Sequence, residues 1–299
     1  MAKYFVCADA LFGATNIRQV TQSSHSTNHE HRKAMISGGA AVSQVSGKSA
    51  GEITQLTSAD MAAIVALNTS TFCSVGLSLL ASTITVPYKI RSAGALFASG
   101  LNHTAITGAN ALIVPTSFEV TQDADFATAQ MDIHWLSADG VTKGCDDATG
   151  QALAAQAFNA EYTLGPCYIN ASLIAGVQGF RVTPGIEVVK PPLGSGSVFP
   201  LFASIKTVQP TMQLTVNDFD AIASTVGDWT AMTSANFYLK KRADSGVFTA
   251  AATAEHIRFT FAAGLTDTDN VSVSNNDDGS ATITLHGKVL TAAAAVAIP

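Results

Sequence analysis

The densest group of side chains able to ligate a metal is His25-x-x-x-His29-x-His31, with Glu30 inside it. Imidazoles at such spacing suit a transition-metal ion. They sit in Thr21–Lys33, which is polar throughout, and three solvated histidines explain the run without a metal. Ser46-Gly47-Lys48-Ser49 matches the last positions of a phosphate-cradling loop, but the full pattern needs a glycine where Val42 stands. Gly194-x-Gly196 lacks the third glycine of a dinucleotide fingerprint, and no Gly-x-Ser-x-Gly elbow occurs. Asp123 with Asp125, Asp146 with Asp147, Asp267-Thr268-Asp269-Asn270 and Asn275-Asn276-Asp277-Asp278-Gly279 carry oxygens that suit a hard cation. The spacing and terminal glutamate of a calcium loop are missing, and turn formation by Asp and Asn accounts for these segments. The reading therefore assigns no catalytic, cofactor-binding or metal-ligating residues and expects a protein that is not an enzyme.

The four cysteines, Cys7, Cys73, Cys145 and Cys167, lie tens of residues apart with no Cys-x-x-Cys pair. That argues against a structural zinc site and against dithiol redox chemistry. The apolar run after Met1 is broken by Asp9 and is too short for a signal peptide, so the thiols are expected to be free and buried. No run of apolar residues is long enough for a transmembrane helix, so no membrane partner is expected.

Composition narrows the class. Of 299 residues, 47% are hydrophobic and 13% charged, about half the usual charged share. Ser and Thr make up roughly a fifth of the chain. Disorder is excluded, because it needs low hydrophobicity and high net charge. A net charge of −6 argues against a protein that binds nucleic acid by neutralising phosphates. A surface poor in Lys and Glu suits an assembly subunit, since interface cores are depleted in charge.

The elements that would position any site are mostly strands. Thr57–Leu67 reads as a short helix, with Thr57 or Ser58 as cap, Asp60 in its first turn, and Met61, Ile64 and Val65 on one face. Asn68 is its stop. Alternating or apolar runs at 83–88, 111–115, 130–136, 161–166, 180–190, 211–216 and 256–261 read as strands. Gly165-Pro166 is expected to stop the fourth of these, and Pro184-Gly185 to break the fifth. Runs at 271–274 and 281–285 flank an Asp278-Gly279 hairpin turn, and 286–290 begins another strand. Residues 21–50 and 191–197 read as long loops. Phe180, Phe199, Phe202, Phe219, Trp135 and Trp229 are scattered and read as core. The fold class is mainly β: a β-sandwich or barrel-like body with one or two short helices and long loops or arms. Residues 1–50 form an N-terminal strand and extended polar arm, and 51–299 the β-rich body, with 205–250 as a place where that body could divide.

Tyr162-Thr163-Leu164-Gly165-Pro166-Cys167-Tyr168-Ile169-Asn170 is followed by Ala175–Val182, Gly185–Val188 and Val198–Ile205. In the order of its features, this stretch resembles structural proteins of bacteriophage tails, above all the tail tube subunits, over residues 110 to 295. The resemblance implies a strand-rich body with arms that reach neighbouring copies. It implies rings, usually hexameric, stacked into a hollow virion tube and made in the cytoplasm of the bacterial host. The implied partners are further copies of the chain, other tail proteins, and genomic DNA that passes through the lumen without specific binding. Acidic groups lining such a lumen would let phosphates slide past. Two other classes fit the same composition: a capsid, decoration or adhesin subunit of a virion, and a β-rich carbohydrate-binding module or enzyme.

Overall fold

The structure, a computed structural model, describes residues 3–7, 10–13, 15–27, 29–35, 41–49, 51–68, 84–92, 103–151, 160–190, 196–217, 231–243, 245–274 and 277–299. It is mainly β, with one helix and a large antiparallel sheet in a β-sandwich-like body.

The alternating runs become an eleven-stranded sheet. Its spatial order is β14 (Ser172–Ile174), β13 (Glu161–Ile169), β19 (Ala231–Arg242), β20 (His256–Ser274), β21 (Asp277–Val296), β18 (Thr211–Val216), β15 (Val177–Thr183), β10 (Ala111–Thr121), β11 (Thr128–Trp135), β7 (Ile53–Ser58) and β4 (Val20–Ser26). A smaller sheet runs β12 (Asp146–Gln151), β9 (His103–Gly108), β8 (Ile84–Ser92), β2 (Ala10–Phe12), β3 (Thr15–Ile17), with β1 (Lys3–Cys7) also pairing β8. Two hairpins stand outside both sheets: β16 (Ile186–Val189) with β17 (Ser204–Val208), and β5 (His29–Met35) with β6 (Ala41–Ser49).

Period-two alternation decides what each face buries. On β20, Ile257, Phe259 and Phe261 are fully buried, and on β21 so are Ile283 and Leu285. Phe118 meets Phe259 with ring centroids 4.9 Å apart, and Phe180 meets Phe237 at 5.8 Å. Ala10, Phe12, Val86 and Ile106 of the smaller sheet join the same core. β10 divides its side chains: Ala111 and Ile113 enter that core, whereas Leu112 and Val114 point to a second cluster covered by Ala203 and Ile205. Phe180 and Trp135 are core as expected, but Phe202 is exposed and Phe199 only half-buried. Both lie on the 196–202 loop. Phe219 and Trp229 lie outside the described residues.

The helix, α1 (Met61–Asn68), starts later than the sequence suggests. Thr57 and Ser58 are held in β7 by their ladder to Gln130 and Ala129. Asp60 is the cap: its carboxylate accepts from the Ala63 amide at 3.3 Å and the Arg18 amide at 3.1 Å. Met61, Ile64 and Val65 are fully buried, so the expected apolar face is the one used.

Four further expectations are corrected. Residues 21–50 are largely strand: β4 extends the large sheet and β5–β6 is a hairpin. An edge strand needs a neighbour's ladder more than a hydrophobic face, so Ser- and Thr-rich sequence pairs there without an apolar pattern. β13 passes through Gly165-Pro166 by a register shift between Leu164 and Cys167, and a Cβ at Gly165 would lie 2.5 Å from the Tyr238 carbonyl oxygen. The last hairpin pairs Ser274 with Asp277, so Asp278-Gly279 lie within β21 and do not form its turn; residues 275–276 lie outside the described residues. β21 continues unbroken through 286–290, where a separate strand was expected.

The β13–β14 turn, Asn170-Ala171, has both residues at positive φ, 49° and 65°. Asn170 offsets this by accepting the Thr233 amide on its side-chain oxygen at 2.7 Å. Ala171 has no such compensation, and a left-handed alanine costs roughly 1–2 kcal/mol. Ala171→Gly is expected to raise stability by about 1 kcal/mol in urea denaturation. Phe259→Ala, which opens the aromatic cluster, is expected to lower it by about 3–5 kcal/mol.

Candidate functional site

The histidine run is divided by the fold. His25 lies on β4, paired with Thr54, whereas His29 and His31 lie on β5, paired with Ser49 and Ser46. The side chains of His29, Glu30 and His31 lie outside the described residues. Ser46-Gly47-Lys48-Ser49 is extended strand in β6. Successive amides of a strand point to opposite sides, which is the reverse of the convergence an anion loop needs. Gly194 lies outside the described residues. Asp123 and Asp125 flank the β10–β11 turn, where the Asp125 carbonyl accepts from Arg242 at 2.9 Å. Asp146 pairs with Lys143 at 2.6 Å. Asp267 and Asn270 are ladder residues of β20 and Asp269 falls at a register shift between Thr268 and Asn270; the side chains of all three are not described, and Asn275 and Asn276 lie outside the described residues.

A cleft beside that turn is lined by Thr121, Asp123, Asp125, Gly165, Arg242 and Phe248. Arg242 in it is committed to Glu161, at 3.1 Å from Nε and 2.6 Å from Nη2. The guanidinium is therefore engaged by the chain's own carboxylate and by the Asp125 carbonyl.

A different set of polar residues converges at the seam between the two sheets. Glu52 stands just before β7, and its carbonyl accepts the Trp135 amide at 3.0 Å. Its side chain is buried, and the Cys145 thiol donates to its Oε2 at 2.9 Å. Cys145 is the last residue before β12, so this bond ties the large sheet to the edge of the smaller one. Gly144 allows the approach, because a Cβ there would meet the Leu136 backbone at 2.8 Å. His25 sits across the ladder, its Nδ1 2.8 Å from Thr54 Oγ1, and Trp135 Nε1 donates to the same hydroxyl at 2.8 Å. A ring nitrogen of His25, a carboxylate oxygen of Glu52 and the sulfur of Cys145 all lie within 4.8 Å of one another.

Electrostatics at the seam follow from burial. Burial above all, then the hydrogen bond and charge of Glu52, push the Cys145 thiol up. Burial alone does the same to Cys167, which is also free. Both thiols are therefore protonated at neutral pH, and a thiol in that state is a poor nucleophile. Lys190 is brought down to about 8 by burial, against the opposing pull of Glu52. His134 is brought down to about 4, first by burial and then by the Lys190 charge.

The sequence could not disclose this cluster. Cys145 and Glu52 are 93 positions apart, and the β4–β7–β11 ladder is what brings His25 and Trp135 beside them. The one local signal is Glu52 itself, a lone acid at the mouth of the alternating run 53–58.

His134 sets a pH dependence. Its Nδ1 is buried without a hydrogen-bond partner, and the folded state holds the ring neutral. Between its ordinary value of 6.5 and about 4, the unfolded chain binds the proton that the folded chain refuses. This contribution to stability is therefore present above pH 6.5 and lost as pH falls through that window, by about 3 kcal/mol in full. Denaturation measured from pH 7 to 4 is expected to show the loss, and His134→Gln to flatten it.

No protein-family model matches the chain, and none of the curated proteins compared with it does.

Proposed function

We propose that this chain is a structural subunit that assembles with copies of itself, and that the assembly is the stacked-ring tube of a bacteriophage tail. The observation that carries the reading is the β5–β6 hairpin. It forms a two-stranded sheet of its own and pairs with no other described strand. An isolated two-stranded ribbon is marginal in water and needs a further strand or a packing surface. Among the described residues this chain supplies no such strand, and a neighbouring copy would.

Other features fit the same role. The hairpin is anchored at its base, where the Ser49 amide donates to the Val198 carbonyl at 2.9 Å. Beside that anchor the 196–202 loop bonds to the Gly140 turn and carries Leu201 and Phe202 exposed, with Val141 exposed on the turn. The outer edge of β4 has no partner among the described strands, which leaves a ladder for an incoming strand. Beyond Leu265, where pairing with β19 ends, Thr266–Ser274 pair with β21 alone among the described strands, a reach of ~30 Å. A charged fraction of 13% and a net charge of −6 suit subunits that pack closely and let a DNA genome pass without holding it.

The test is negative-stain electron microscopy of the purified chain, with light scattering for mass. Rings or stacked tubes with a central hole are expected. Replacing residues 29–48 by a short Gly/Ser linker is expected to leave a folded monomer. A wild-type monomer of 30.8 kDa at high concentration would overturn the reading. Closed shells or flat lattices would replace the tail tube by another virion role.

A further inference from the structure

The seam cluster carries an inference that is independent of assembly. We propose that His25, Glu52 and Cys145 form a binding site for a divalent transition-metal ion of the zinc or cobalt type.

Three different ligand types converge here from three separate segments: an imidazole nitrogen, a carboxylate oxygen and a sulfur, all within 4.8 Å of one another. A tetrahedral ion at bond lengths of about 2.0–2.3 Å holds its ligand atoms ~3.3–3.8 Å apart, a spacing that small side-chain adjustments reach from this cluster. The choice of ligands excludes magnesium and calcium, which take oxygen, and favours a borderline-soft ion that accepts nitrogen and sulfur together. Two of the three ligands are almost fully buried, Glu52 at 4% and Cys145 at 4% exposure. The buried carboxylate and the buried sulfur lie 2.9 Å apart and are bridged in the structure by the thiol proton. A metal ion would take its place, the Cys145 proton leaving to solvent as sulfur becomes a thiolate ligand.

The surroundings are arranged as a metal site needs. Thr54 holds the His25 ring through Nδ1 and is itself fixed by the Trp135 indole, so the orientation of the imidazole is set by a hydrogen bond. The Trp135 and Glu52 backbones are locked by a 3.0 Å hydrogen bond. Three protein ligands leave a fourth position for water or another small donor. Lys143 and Lys190 both act on Glu52 by their charge, so an ion competes with them for that carboxylate. Because Cys145 leads into β12 and His25 and Glu52 belong to the large sheet, the ion would also pin the two sheets together.

The experiment is titration of the reduced full-length protein with Co²⁺ alone, read by absorption. One equivalent is expected to produce a thiolate-to-cobalt charge-transfer band and the intense visible bands of a four-coordinate ion. Zn²⁺ is expected to displace them and to raise the melting temperature. Cys145→Ser is expected to abolish the charge-transfer band, and His25→Ala, on a partly exposed edge strand, to weaken Co²⁺ binding at least tenfold without unfolding the chain. Lys190→Met is expected to tighten binding by removing the competing charge. The double variant His29→Ala/His31→Ala is expected to leave the bands unchanged. Absence of the charge-transfer band in the folded wild-type protein would overturn the proposal. So would its full retention in Cys145→Ser, which would place the metal on another thiol. If Cys145→Ser fails to fold, an unchanged titration in His25→Ala overturns it instead. None of these readouts depends on whether the chain forms rings, so failure here and failure of the assembly reading are separable.

Discussion

The long β20–β21 pair is the constraint on which the rest of the large sheet depends. Its two strands are 19 and 20 residues long and run antiparallel from His256↔Val296 to Ser274↔Asp277. Each offers its free edge to one neighbour, β19 on one side and β18 on the other, and the remaining strands add outward from these. The alternation Ile257, Phe259, Phe261 fixes which face of this spine is buried, because a one-residue slip would put all three into water. The aromatic cluster with Phe118, Phe180 and Phe237 then selects which strands can lie opposite. Gly264 faces Gly287 across the ladder, and a Cβ at Gly264 would lie 2.0 Å from the His286 carbonyl oxygen. Two glycines in register let the strands approach where side chains would hold them apart.

Much of the fold was legible because burial on one face writes itself into the sequence. Thr211–Val216 and His256–Phe261 alternate cleanly and are strands with the expected faces inward. Met61, Ile64 and Val65 mark the helix face. What the sequence hides is structure held by backbone alone. β4 is Val-Thr-Gln-Ser-Ser-His-Ser and has one buried residue, Val20, yet its ladder to β7 keeps it extended. β5 and β6 pair in the same way. Helix and hairpin boundaries were misplaced for a related reason: at Ser58 and at Asp278-Gly279 the local signal for a cap or a turn is overridden by strand pairing already in register.

The candidate site was not legible at all, and the cause is geometric. Its residues come from an edge strand, a strand mouth and a loop end, and no two of them share a local pattern. Glu52, His25 and Cys145 meet only after the β4–β7–β11 ladder is complete and Gly144 has let the chain turn back onto Leu136. On the opposite face of β11, burial holds His134 neutral and lowers Lys190 to about 8, and the Lys190 charge acts on the His134 ring. The two sides of β11 thus place five titratable groups close to the seam, in a chain where 13% of residues are charged. The junction between the sheets gathers a buried carboxylate, a buried thiol and a buried imidazole.

The hairpin and the edge strand share one physical situation: backbone donors and acceptors arranged for pairing, with fewer partners within the chain than they can take. A self-assembling subunit resolves that by lending the partner from its neighbour. The most direct measurement is amide hydrogen exchange over residues 20–49, followed from dilute to concentrated protein. The account predicts that amides of β5–β6 and the outer edge of β4 exchange rapidly in dilute solution and become protected as the oligomer forms, while those of β20–β21 at 256–261 stay protected throughout. Equal protection of β5–β6 in a dilute monomer and in concentrated protein would contradict it, because the hairpin would then be complete within a single chain.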